Sequence, residues 1–184
     1  MTKPKPDFLE ILKTLARHHV DFIVVGGVCA VLHGAPIATF DLDLVHSRAT
    51  ANLNHLLKAL DNLEAHYREA RERIARPELS HLRSADHHLL MTRAGPLDLL
   101  GEIGHGSKYE DLLPETMELE IDKDLKVRVL NLDTLIRNKT ETARSKDKAV
   151  IAILEQTLKE KLKSQRKISK QPSSPVLEHP THRT

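Results

Sequence analysis

Three aspartates occur in settings that could do chemistry. Asp41 and Asp43 lie in Asp41-Leu42-Asp43-Leu44, and Asp98 lies in Leu97-Asp98-Leu99-Leu100, so each acid sits among apolar neighbours. Successive side chains of a β-strand alternate between its two faces, which sends Asp41 and Asp43 to one side and Leu42 and Leu44 to the other. The leucines would anchor such a strand in a core. Two carboxylates on one rigid strand repel each other unless a cation lies between them, and hard oxygen ligands of this kind suit Mg²⁺ or Mn²⁺. If the strand carrying Asp98 lies alongside, the third carboxylate joins them. Divalent ions held there could bridge a triphosphate, lower the pKa of an attacking hydroxyl and stabilise charge on a departing pyrophosphate, which is in-line phosphoryl-group transfer.

A second feature, Gly26-Gly27, stands upstream of Asp41 with thirteen residues between. A Gly-Gly turn between a strand and a helix lets the backbone approach a phosphate without an obstructing Cβ, and amides at a helix start can bind its oxygens. Alone such a turn is most often a simple connection. Followed by the acidic pair, it becomes a candidate triphosphate cradle.

The elements that must position these residues can be read from periodicity. Asp7 is placed to cap a helix whose apolar positions Phe8, Ile11, Leu12 and Leu15 share one face, ending near His18. Val20 to Val25 reads as a strand, Gly26-Gly27 as a turn, Val28 to Leu32 as a helix and Thr39 to Val45 as a second strand. Ser47 to Thr50 can cap a helix carrying Leu53, Leu56, Leu57 and Leu60, and Tyr67 to Asp86 reads as a partly helical, partly irregular connection. Two hairpins follow. His88 to Thr92 pairs with Leu97 to Leu100 around Arg93-Ala94-Gly95-Pro96, and Glu118 to Ile121 pairs with Lys126 to Leu130 around Asp122-Lys123-Asp124. Helices are expected from Leu132 to Lys139 and from about Ser145 to Leu162, the latter striped by Val150, Leu154 and Leu158.

The fold class expected is therefore α+β (α/β mixed), a small mixed sheet flanked by helices with a C-terminal helical extension. The expected boundaries are a core over 1–132, a helical segment packed on or beside it over 133–163, and a disordered tail over 164–184, which is basic and then rich in Pro, Ser and His. The chain has 184 residues, enough for one ordinary domain but not for two large ones. Aromatics make up only 3%, so the core must be aliphatic. The lone cysteine, Cys29, has no internal disulfide partner and reads as a small core residue. No apolar run approaches the roughly 18 to 20 residues that cross a bilayer, and the charged N-terminus is not followed by a signal-like region, so no membrane association and a cytoplasmic location are expected.

Gly26, Gly27, Asp41, Asp43 and Asp98 together resemble the signature of the DNA-polymerase-beta-like nucleotidyltransferase superfamily: a Gly-Gly or Gly-Ser turn, an Asp-x-Asp pair and a third Asp on a later strand. His33-Gly34 with Thr39, and the stretches Leu135-Ile136-Arg137-Asn138-Lys139 and Arg144-Ser145-Lys146-Asp147, look like minimal members of the AbiEii-like toxin type. The resemblance implies a Mg²⁺-dependent or Mn²⁺-dependent enzyme that transfers a nucleoside monophosphate from a nucleoside triphosphate to an acceptor. Asp41, Asp43 and Asp98 would be the catalytic metal ligands, and Gly26, Gly27, Lys139 and Arg144 would contact the nucleotide. It implies a tRNA or protein acceptor and a toxin role with an antitoxin protein as partner; an antibiotic-type small-molecule acceptor is the enzymatic rival. The sequence departs from the pattern at Ile37, where many relatives carry arginine. That departure motivates a reading of another class, a non-catalytic nucleotide-binding or partner-binding module.

Blander readings stand beside these. Lys139, Arg144 and Lys146 could form a solvated helix face, the usual fate of such charges. His18-His19 and His87-His88 lack zinc-site spacing and read as surface or structural residues. The basic run from Lys159 to Lys170 lacks interleaved aromatics for stacking bases.

Overall fold

The computed structural model describes residues 5–68, 75–142 and 147–168. Arg144, Ser145, Lys146 and the tail from residue 169 lie outside the described residues.

Helix α1, Phe8–Arg17, starts where Asp7 accepts a hydrogen bond from the Glu10 amide, and it buries Ile11, Leu12 and Leu15. Strand β1, Phe22–Val25, is buried throughout and runs directly into α2, Gly26–Leu32. The glycine pair is thus the first turn of α2 rather than a connection ahead of it. Strand β2, Leu42–His46, begins three residues later than the sequence pattern suggests, because Thr39 bonds the Asp41 carbonyl instead of joining the sheet. Next come α3, Thr50–Asn62, the short strand β3, His66–Tyr67, and a single turn of helix, α4, Leu79–Leu82.

Both expected hairpins form, as β4, His88–Thr92, with β5, Gly95–Leu100, and as β6, Thr116–Asp122, with β7, Leu125–Leu130. Between them lies a turn of helix, α5, Tyr109–Leu112, and a 3₁₀ turn at Leu113–Glu115, neither of which has a signal in the sequence pattern. Helices α6, Leu132–Glu141, and α7, Lys148–Ile168, close the described chain. Helix α7 runs past Ser164, where the pattern suggests the tail begins, because Gln156 to Glu160 and Ser164 to Glu160 bonds support a polar helix that has lost its apolar stripe.

The strands form one seven-stranded sheet in the order β3-β4-β5-β2-β1-β7-β6. It is mixed: β2 pairs with β5 and β1 with β7 in parallel, and the remaining neighbours are antiparallel. The fold class is α+β. Leu42, Leu44, Leu97 and Leu99 are wholly buried beside Ile11, Leu15, Leu53 and Leu56. Each such side chain contributes roughly 1.5–3 kcal/mol of burial, which fixes β2 and β5 in the sheet centre and orients the acids interleaved with them.

Helix α2 packs on β1, β2 and α6, and α6 packs on α7. His33, at the end of α2, donates from Nε2 to the Leu130 carbonyl at 2.7 Å, and its Nδ1 accepts from Lys161 of α7 at 2.9 Å. Cys29 is buried, its thiol bonds the same carbonyl at 3.3 Å, and desolvation pushes its pKa up to about 12. It is the core residue expected. Among the described residues no helix is long and apolar enough to cross a membrane.

Candidate active site

Two of the three aspartates stand on the central strands β2 and β5, and the third, Asp41, lies just ahead of β2. In the parallel register Asp43 of β2 stands opposite Asp98 of β5, with Leu42 opposite Leu97 and Leu44 opposite Leu99. In-register neighbours point to the same face, so the two carboxylates share a side while the leucines share the other. Asp41 immediately precedes β2 and is near enough for its charge to act on both Asp43 and Asp98. On the other flank of β2, Val25 stands opposite Asp43, and the chain then turns into α2 at Gly26.

Gly26 has φ +63°, a conformation that favours glycine, and a Cβ there would collide with the Asp43 carboxylate. A Cβ on Gly27 would collide with the Thr39 side chain. The glycine pair is thus required by the seating of Asp43 and Thr39 against the first turn of α2, a reason independent of any phosphate. The Gly27 amide in turn donates to Asp43.

Burial raises the Asp43 pKa, the nearby charges of Asp41 and Asp98 raise it further, and the Gly27 amide and Lys139 oppose them; the result is about 6. Asp98 is raised chiefly by burial, with the Arg68 guanidinium pulling the other way. Arg68, just after β3, forms an ion pair with Asp98. As the side chains stand, no three Asp, Glu, His or Cys groups among the described residues are gathered as ligands of one ion. Asp98 is instead engaged by Arg68.

A cavity of about 480 Å³ opens beside Asp43, lined by Gly26, His87, Glu102, Asn138 and Lys139 among others. Lys139 therefore does reach the cleft of the acids, from α6, and is close enough to affect Asp43. Arg144 lies outside the described residues. Ile37, where the family pattern has arginine, is half-buried and packs against the core.

Arg68 and Glu102 have no place in the sequence-based expectation, Asn138 enters it only within the stretch that carries the resemblance, and His87, which it reads as a surface or structural residue, lines the cavity. Leu135, Asn138, Lys139 and Thr142 all line the cavity, and their i, i+3, i+4, i+7 spacing is a helix-face signal that was there to be read. Arg68 carries no such signal, since its partner is thirty residues away in sequence.

No protein-family model matches the chain, and no curated protein matches it. Among solved structures it is similar to a candidate nucleotidyltransferase from Thermotoga maritima, at 15% identity and a TM-score of 0.47, over 88% of this chain and 89% of that one. A likeness this loose carries no argument, and the α+β class stands on the sheet and helices described above.

Proposed function

We propose that this chain is a divalent-metal-dependent nucleotidyltransferase that moves a nucleoside monophosphate from a nucleoside triphosphate to a hydroxyl acceptor. The observation that carries the reading is the in-register pairing of Asp43 with Asp98, with the Asp41 charge acting on both and the Gly26-Gly27 helix start directly alongside. The residues present fit a hard divalent cation. The donors are all carboxylate oxygens, and burial with mutual repulsion has raised Asp43 to about 6, a penalty that a dication relieves.

Asp41 and Asp43 would hold the ion, and Asp98 would join them on release from Arg68. When bound, the ion supplies charge neutralisation at the phosphates and a more acidic attacking hydroxyl. The remaining tasks fall to the chain. Amides at the start of α2 other than that of Gly27, which Asp43 engages, hydrogen-bond phosphate oxygens, and Lys139 offsets triphosphate charge from α6. The acceptor oxygen forms a bond to the α-phosphorus with its lone pair. The bond from that phosphorus to the bridging oxygen breaks, its electron pair leaves with pyrophosphate, and the hydroxyl proton passes to the carboxylate cluster.

The test is transfer of label from each α-³²P nucleoside triphosphate, with Mg²⁺ or Mn²⁺, to total RNA and to protein. Label that appears with the native chain and vanishes in Asp41→Ala, Asp43→Ala supports the enzyme; a folded native chain that labels nothing and releases no pyrophosphate overturns it. A tRNA acceptor, a toxin role with an antitoxin, and an antibiotic-type acceptor rest on the family resemblance, and the labelled product decides among them.

One observation favours the second reading. The Arg68–Asp98 pair occupies the third carboxylate, as in a module that binds nucleotide without turnover. Calorimetry separates the two, because both bind nucleotide but only the enzyme releases pyrophosphate.

A further inference from the structure

Two cations act on the central acids, and they are placed differently. Lys139 of α6 acts on Asp43 and shares a cavity with Val25 and Gly26, at the end of β1. Arg68 acts on Asp98 and comes from the end of β3, on the other flank of the acids in the strand order. Lys139 borders an open cleft, whereas Arg68 is already engaged by a carboxylate.

The sheet fixes the backbone of Arg68. Its amide donates to the Leu89 carbonyl at 3.0 Å, one residue past the end of β3, and Leu89 stands opposite Asp98. Strand β4 lies between β3 and β5, so two strand spacings, roughly 10 Å, separate the strand of the arginine from that of its partner. The side chain must extend across β4 to reach Asp98. A side chain of this length redirects its end group by changing rotamer, with no movement of the sheet. The guanidinium presents five donors in a planar fork, which fits phosphate oxygens as well as it fits a carboxylate.

The pair is not free to come apart. The Arg68 side chain is 28% exposed and that of Asp98 10%. Taking one partner away leaves the other charge poorly hydrated and unopposed, which is strongly unfavourable. When Asp98 turns to a divalent ion, as the transferase reading has it, Asp98 exchanges one cation for another. Arg68 loses its anion. The triphosphate that accompanies the ion is an anion able to take its place.

We infer that Arg68 is an exchange arginine: it neutralises Asp98 in the empty site and passes to the phosphates of the nucleotide when Asp98 turns to the metal. The inference rests on the transferase reading above and adds to it a phosphate ligand and a coupling. Binding of metal frees the guanidinium that the phosphates use, and binding of phosphates takes up the guanidinium that the metal displaces. Each ligand therefore strengthens the other by the same factor.

The experiment uses the full chain, calorimetry and two probes, Mn²⁺ alone and the preformed complex of Mn²⁺ with inorganic tripolyphosphate. Arg68→Ala should bind Mn²⁺ more tightly than the native chain, since a competitor for Asp98 is gone. It should bind the complex about tenfold or more weakly, the scale of a lost hydrogen bond to a charged group. Arg68→Lys should recover part of that loss, keeping the charge without the fork. A merely structural arginine would move both affinities down together.

A converse arm decides the matter even where Arg68→Ala does not fold. Asp98→Asn releases Arg68 without metal, so in the presence of chelator it should bind tripolyphosphate about tenfold or more tightly than the native chain. Asp98→Asn, Arg68→Ala, which leaves no unpaired charge behind, should lose that gain. Weaker Mn²⁺ binding in Arg68→Ala, unchanged affinity for the complex, or a gain that persists in the double variant overturns the exchange. If the native chain binds neither Mn²⁺ nor the complex, the transferase reading itself falls, which the native titrations report before any variant is compared.

Discussion

The two hairpins of this chain look alike in sequence and serve opposite ends. Leu97-Asp98-Leu99 in β5 and Glu118-Leu119-Glu120 in β6 both alternate acid and apolar residue. Strand β5 lies inside the sheet between β4 and β2, and its Asp98 is only 7% exposed. Strand β6 is an edge; its acids point to solvent, and Glu118 pairs with Arg128 across the hairpin at 3.5 Å. The same residue class is a desolvated, mutually repelling charge in one hairpin and a hydrated guard against edge pairing in the other. An acid on a strand acquires chemistry from the position of the strand, not from the local pattern.

The largest effect should come from neutralising the central acids. Asp43→Asn or Asp98→Asn is expected to lower nucleotide transfer by about a thousandfold or more, the scale of losing preorganised electrostatics at a reacting centre. Glu118→Gln and Glu120→Gln should leave it unchanged in the same assay. Equal losses in both hairpins would erase the distinction.

A Gly26→Ala change should come next, destabilising the fold by roughly 2 kcal/mol or more, because it adds a left-handed strain to a collision with Asp43. Gly34→Ala, with φ +95° but open space around its Cβ, should show the strain alone at about 1 kcal/mol. Denaturant midpoints at constant slope measure both.

Asp43 also gives the central hairpin a pH signature. Its folded pKa of about 6 lies above the ordinary 3.8, so the folded chain holds this proton more tightly than the unfolded chain does. Stability is therefore fullest below about pH 4 and is lost as pH rises towards 6, by on the order of 2 kcal/mol. Metal-free melting curves should show that decline, Mg²⁺ should reverse it at neutral pH, and Asp43→Asn should abolish both responses while melting a few degrees higher without metal. A flat pH profile in the native chain would remove the argument that these carboxylates are poised for a cation.

Arg68→Ala leaves Asp98 buried without its partner, which is expected to cost about 1–3 kcal/mol in the metal-free protein and to widen the Mg²⁺-induced rise in melting temperature. If stability falls and Mg²⁺ still adds nothing once Arg68 is gone, the carboxylates do not hold a divalent ion, and the metal-dependent reading loses its footing. The smallest effect belongs to the edge: Arg128→Ala, which breaks the exposed pair with Glu118, should change stability by less than about 0.5 kcal/mol.

These contrasts also mark what the sequence could convey. The leucines flanking Asp43 and Asp98 made both strands legible, since a period of two with apolar residues on one side is a local signal. Asp7 as a cap and the two hairpin turns were legible for the same reason. The Arg68–Asp98 pair was not, because it joins residues that only the β3-β4-β5 pairing brings together. His87 and Glu102 reach the cleft from loops, whose direction no periodicity encodes. The glycine pair was read as a phosphate cradle, while its contacts show a second constraint, the space taken by Asp43 and Thr39. Helix α7 outran its apolar stripe because exposed polar residues with good helix propensity continue a helix once it has formed.

The fit between Gly27 and Thr39 reaches beyond this one chain. Each occupies the volume the other leaves, so neither position can change freely while its partner stays fixed. A Cβ at Gly27 meets the Thr39 Cβ at 2.7 Å as well as its hydroxyl, so alanine there becomes tolerable only when position 39 becomes glycine or its backbone moves away. Descendants of this sequence should therefore alter the two sites together, and a glycine-threonine pairing found across eleven intervening residues in an unrelated chain would be a fingerprint of this strand-to-helix seat even where the acids have been lost.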